Sequence, residues 1–215
     1  MDSLDIFRTL KFLPGIILGL TIHEFSHAYI AHRCGDPTSR NQGRVSLNPL
    51  KHIDPLGFIM LLVAGFGWAK PVEFTEANLR NPKTDVLKIA VAGPVSNALL
   101  AMLLSVFFAF FKDMEPAGFY NGKYLITELF VYAIYINWGL FIFNLIPIPP
   151  LDGSKILMGF LPQEYAYQFA QLERFGPFLL IFILIFSRMI GFNIFWVLIS
   201  PFIAVFSVLL GIRFF

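Results

Sequence analysis

Charge is scarce in this chain. Asp, Glu, Lys and Arg make up 14% of 215 residues, against about 25% in ordinary soluble domains. So few charges cannot cover a molecule with water-facing surface, which excludes a freely soluble globular protein. Cysteine is nearly absent as well. Cys34 stands alone, which excludes an intrachain disulfide and a thiolate metal cluster, and it reads as a small, partly buried apolar residue. A net charge of +2 gives no reason to expect a nucleic-acid partner. No internal repeat or low-complexity tract interrupts the chain, and its length leaves no room for a second folded unit.

What fills the chain instead is apolar. Hydrophobic residues make up 57%, with 26 phenylalanines, and the mean hydropathy is +0.70. The fold expected is an all-α membrane protein, one integral domain over 1–215 that takes the lipid bilayer as its solvent. It is a polytopic helical bundle of about five spanning helices, over 12–33, 89–111, 129–151, 176–187 and 194–212. The last two form a C-terminal helical hairpin, preceded by a mixed amphipathic stretch from 154. Residues 1–11 are polar and read as an interfacial turn. Asp2, Asp5, Arg8 and Lys11 make a mixed-charge head and no small-residue cleavage site follows the apolar run, so the first helix is expected to be retained. The apolar run 56–67 is only about a dozen residues long, which suits a re-entrant segment. In the polar loop before it, Val45 and Leu47 alternate with polar neighbours, predicting a short β-hairpin.

One stretch of the first helix breaks the apolar pattern: His23-Glu24-Phe25-Ser26-His27. On a helix residues 23 and 27 lie one turn apart, about 6 Å along the axis. Both imidazoles then leave one face and can meet a single metal ion at about 2.0–2.1 Å. Glu24 shares that face and is placed to take the proton of a water at the metal. In a soluble protein the same five residues are about as often two surface histidines and a salt-bridging glutamate. In an apolar helix there is no solvated face to receive them, and three ionisable groups there are costly unless they act together.

The distribution of charge points to a third ligand. Arg33, Arg40, Arg44, Lys51, Lys70, Arg80, Lys83 and Lys88 fall between 33 and 88, against five acids, whereas 112–124 has two lysines and two acids. The positive-inside rule puts 33–88 in the cytoplasm. The inner end of the first helix and the inner end of the 129–151 helix then come to one depth. Asp152 stands at the second of these, after the break Pro147-Ile148-Pro149-Pro150, and is the candidate third ligand. Two histidines, one carboxylate and an open position make a catalytic zinc arrangement. Alone, Asp152 could equally be a helix N-cap.

The His23–His27 motif, the segment Gly93-Pro94-Val95-Ser96-Asn97 and the segment from Asn144 to Gly153 together resemble the site-2 protease family of intramembrane zinc metalloproteases. Gly43 to Pro49, His52 to Gly57 and Gly67 to Val72 are similar to stretches of its compact bacterial branch, and no PDZ-like or CBS-like insertion is present. The resemblance covers about 12–155, the expected catalytic core, leaving 156–215 matched only in hydrophobicity. It implies one zinc ion held by His23, His27 and Asp152, with Glu24 as general base and Asn97 positioning the substrate or polarising its carbonyl. It also implies single-span membrane proteins as substrates, and a multi-pass protein of the cell membrane whose active site faces the cytoplasm. A neutral amide suits the Asn97 role, because it can stabilise an oxyanion without the desolvation cost of a cation. Interhelical hydrogen bonding is the other reading for Ser96, Asn97 and Asn144, and the two stand equal for Asn144. His52 reads as a loop residue bonded to backbone rather than a member of the site. The alternative function is a membrane divalent-metal transporter or sensor, in which Glu24 would have no task.

Overall fold

The computed structural model describes residues 3–64, 67–111 and 120–189, with 191, 197, 200–202, 204, 205 and 208 beyond them. Three long helices form the body: α1 (Ser3–Arg33), α4 (Pro82–Phe111) and α5 (Tyr120–Asn144). Shorter helices sit between and after them: α2 (Thr38–Asn41), α3 (Pro55–Ala64), α6 (Asp152–Phe160), α7 (Gln163–Ala170) and α8 (Gly176–Met189).

α1 corrects the expectation of a polar turn over 1–11. The helix starts at Ser3 and runs through Pro14 for 31 residues, about 46 Å at 1.5 Å per residue. No glycine or proline interrupts Ser3 to Phe12. Lys11 has a partner: its Nζ meets Glu128 Oε2 of α5 at 2.5 Å, tying the starts of two helices together. One turn further, Gly15 lets the backbones touch. A Cβ there would lie 2.7 Å from Ala133 Cα, so small residues set the α1–α5 approach, as they do between membrane helices generally. α4 and α5 close the bundle through a buried cluster of Ala98, Ala101, Phe108, Ile134 and Trp138.

α4 and α5 each contain a stretch long and apolar enough to cross a membrane, Pro82–Phe110 and Ile126–Asn144. These are two of the five spans expected. α1 has the length, but its metal-motif residues lower its hydropathy. α8 has only 14 residues. The 194–212 span, and with it the second arm of the C-terminal hairpin, falls largely outside the described residues, as does most of the 112–124 loop.

The predicted β-hairpin is not formed: among the described residues there is no strand, only an isolated antiparallel bridge between Ile53 and Ala69. Residues 44–50 satisfy their amides locally instead. Ser46 N–H donates to Arg44 O at 2.9 Å, Asn48 N–H to Ser46 Oγ at 3.1 Å, and Leu50 N–H to Asn48 Oδ1 at 3.0 Å. Such side-chain acceptors compete with a sheet ladder. The Ile53–Ala69 bridge, with Lys70 N–H on His52 O at 2.8 Å, joins the two ends of the excursion that contains α3. A ten-residue helix reaches about 15 Å, half the hydrocarbon thickness. The segment therefore goes out and returns at one place.

Beyond α1 the chain is held by Asp36, which is fully buried. Its carboxylate accepts hydrogen bonds from Thr38 N–H (3.1 Å), Thr38 Oγ1 (2.6 Å), Thr75 N–H (2.8 Å) and Asn78 Nδ2 (2.8 Å). One side chain thus pins the 75–78 turn to the end of α1.

Candidate metal centre and active site

α5 ends at Asn144 in a run of short turns through Pro147, Pro149 and Pro150, which cannot continue a helix. Ile148 N–H bonds Ile146 O, and Leu151 N–H bonds Ile148 O, so the chain reverses and α6 begins at Asp152. The N-cap is Leu151. Asp152 is the first helical residue, its side chain not used as a cap. It swings to the two histidines of α1, 125 residues away in sequence for His27.

Asp152 Oδ2 lies 3.1 Å from His23 Nε2 and 3.2 Å from His27 Nε2, and the two Nε2 atoms are 3.0 Å apart. Ligand atoms at 2.0–2.1 Å from a tetrahedral zinc stand about 3.3 Å from one another. The three atoms thus form a triangle of nearly the size that a zinc ion requires, and they are the one such cluster of His, Cys, Asp or Glu among the described residues. The donor set fits the metal.

The histidines are oriented from behind. His27 Nδ1–H donates to Ile89 O at 2.7 Å. His23 Nδ1 faces Asn97 Oδ1 at 2.6 Å. The amide orientation follows from its other contacts: Asn97 Nδ2 donates to Gly19 O (3.0 Å) and to Asn137 Oδ1 (2.9 Å), while Asn137 Nδ2 donates to Ala133 O (2.8 Å). A carbonyl can only accept, so nitrogen faces Gly19 and oxygen faces His23. Nδ1 of His23 therefore carries the proton, and Nε2 keeps its lone pair for the metal. α4 comes close enough to do this because Gly93 has no side chain. A Cβ there would lie 2.3 Å from His27 Nε2 and 2.6 Å from His23 Nε2.

Glu24 shares a cavity of about 130 Å³ with His23, His27 and Asp152, lined also by Pro71, Val72, Asn144 and Lys155. Its Oε2 accepts Val72 N–H at 3.1 Å.

The sequence profile of Peptidase family M50 matches residues 114–186, the span that carries the proline break and Asp152. Bacillus subtilis has a relative named "Putative zinc metalloprotease YwhC", 38% identical over 185 residues, which cover 84% of this chain and 82% of that protein. The chain belongs to Peptidase family M50, the site-2 protease family. Similar relatives occur in Mycolicibacterium smegmatis, "Putative zinc metalloprotease Rip2" (31% identical, 80% of this chain and 66% of that protein), and in Methanocaldococcus jannaschii, "Putative zinc metalloprotease MJ0611" (31% identical, 70% and 72%). No solved structure matches the chain. As an M50 peptidase the protein is a membrane-embedded zinc metalloprotease, with zinc as its cofactor. Nothing in the site or among these relatives favours the metal transporter or sensor.

His23, Glu24, His27 and Asp152 line one cavity, and Asn144 lines it with them. Asn97 is adjacent but differently employed. It is fully buried, with its oxygen turned to His23 and its nitrogen to Gly19 and Asn137, so in this structure it orients a ligand and offers no donor to the cavity. Asn144 does line the cavity, and its Nδ2 donates to Leu140 O at 3.0 Å, leaving its second N–H for another partner. His52 lies outside it. Its Nε2–H donates to Ser46 O at 2.7 Å, and its ring lines a separate cavity of about 370 Å³ between α1, α5 and the α3 segment. Burial holds the His52 imidazole below its ordinary value, and the Arg44 charge lowers it further. One neighbour of the site escaped the sequence reading. Asn137 was visible as a polar break in an apolar run, with nothing to show that it would hold the Asn97 amide.

Proposed function

We propose that this zinc metalloprotease is an intramembrane endopeptidase that cleaves single-span membrane proteins within or near the bilayer. The observation that carries the reading is the location of the ligand triangle. It is assembled from α1 and the start of α6, and is backed by α4 at the turns where the long apolar helices pack.

His23, His27 and Asp152 hold the zinc. When bound, the ion supplies Lewis acidity that polarises the scissile carbonyl and makes water a competent nucleophile near neutral pH. The chain does the rest. Glu24 accepts the proton from the attacking water at its carboxylate and returns it to the leaving amide nitrogen. The Val72 N–H holds one carboxylate oxygen, so the base stays turned to the cavity. Asn144 has an amide hydrogen to offer the carbonyl oxygen as charge builds there. The polar lining of the small cavity admits water to a region that lipid would keep dry. A substrate helix must unwind locally to reach it, since helical backbone hides its carbonyls.

The excess of Lys and Arg over 33–88 supports a multi-pass topology with the site toward the cytoplasm; the extent of the family resemblance supports 12–155 as the catalytic core of a single domain. Cleavage of a single-span substrate by reconstituted protein tests the reading. Wild type cuts it, while Glu24→Gln and Asp152→Asn do not; equal cleavage by all three would sink the mechanism.

A further inference from the structure

Among the described residues Arg44 is the only Lys or Arg that is buried. Its Nη1 donates to Lys51 O and its Nη2 to Lys70 O. Those two carbonyls stand on opposite sides of the neck through which the chain enters and leaves α3, beside the Ile53–Ala69 bridge. Nη2 also faces Glu24 Oε2 at 4.0 Å. Two residues past Lys70, the Val72 N–H donates to that same oxygen at 3.1 Å. One guanidinium thus holds both sides of the neck and faces the carboxylate on which the next stretch of backbone rests.

We propose that Arg44 is a positioning residue for the proteolytic reaction. By clamping the Lys51 and Lys70 carbonyls while facing Glu24, it sets the 70–72 backbone against the carboxylate and fixes the orientation from which Glu24 takes a proton. Arg44 does not line the metal cavity, so it acts through Glu24 and Val72 and does not touch substrate. The planar fork suits this task. Its donors diverge at fixed angles, so two carbonyls and a carboxylate can be faced at once, which the compact ammonium of lysine cannot match. The inference rests on the role proposed above for Glu24. A purely structural staple would predict something else: weaker folding, but normal turnover in the molecules that fold.

The test uses the full chain with Arg44→Ala and Arg44→Lys. Zinc content and KM are expected to stay near wild type while kcat falls about 100-fold in Arg44→Ala, with Arg44→Lys in between. Millimolar guanidinium restores part of the kcat of Arg44→Ala, and the same concentration of sodium does not. Independently of activity, the Val72 amide of the metal-free protein exchanges hydrogen faster in Arg44→Ala than in wild type, and guanidinium slows it. If Arg44→Ala does not fold, Arg44→Lys decides through its kcat and its Val72 exchange. Wild-type kcat in the variant, a loss confined to zinc content or thermal stability, or unchanged Val72 exchange would overturn the proposal. Wild type and Glu24→Gln are assayed alongside. If wild type cleaves nothing, the proteolytic reading fails, while Val72 exchange still reports on the clamp.

Discussion

Asn97 Oδ1 sits 2.6 Å from His23 Nδ1, and that contact decides which nitrogen of the ring can bind a metal. The amide is itself locked by Gly19 O and Asn137, so the chain of orientation runs from α5 through α4 to the ligand on α1. Partners of this kind are worth roughly 10–100-fold in metal affinity. Asn97→Ala should therefore weaken zinc binding by about that factor in a chelator competition, with the helices still formed. Unchanged affinity would show that His23 needs no such support.

Gly93 makes a second, steric prediction. A methyl group there would fall within 2.6 Å of both ligand nitrogens, in the space the ion needs. Gly93→Ala should lose most of its zinc and, through overpacking, about 1–3 kcal/mol of stability. Metal analysis of the purified variant with a thermal melt measures both. Full zinc occupancy would mean that α4 can retreat from α1 at little cost.

Asp36 gives a pH dependence away from the metal. Burial, the largest influence, pushes its carboxyl up, but the hydrogen bonds from Thr38, Asn78 and Thr75 outweigh it and hold the group below the ordinary carboxylate value. A lowered folded value means that the ionised group stabilises the fold above the unfolded value, about pH 4. That contribution is lost as pH falls through the lowered one. Asp36→Asn turns an amide toward donors that need an acceptor, and should cost about 1.5–3 kcal/mol near neutral pH. In paired melts the gap to wild type should hold steady from pH 7 to 5 and close below 4. A gap that widens in acid would contradict the assignment.

Much of this site could be read before any fold was known, because its ligands obey a helical spacing. His23, Glu24 and His27 are neighbours on one helix, and charge placement pointed to Asp152 as the candidate third ligand. What lay beyond the sequence were contacts set by packing. The direction of the Asn97 amide depends on Gly19 and Asn137, which belong to two other helices. Alternation at Val45 and Leu47 suggested a strand, yet Ser46 and Asn48 capture the amides that a ladder would use, and a bridge forms at Ile53 and Ala69 instead. Polarity suggested that α1 begins near residue 12. The Lys11–Glu128 pair shows why charged residues can extend it.

The central claim is that His23, His27 and Asp152 hold one zinc ion while Glu24 serves as the base and not as a ligand. Zinc content per chain in purified protein tests it most directly. Wild type and Glu24→Gln should each carry about one zinc, and His23→Ala, His27→Ala and Asp152→Ala should each carry far less. Loss of zinc in Glu24→Gln, or full occupancy in Asp152→Ala, would contradict the account.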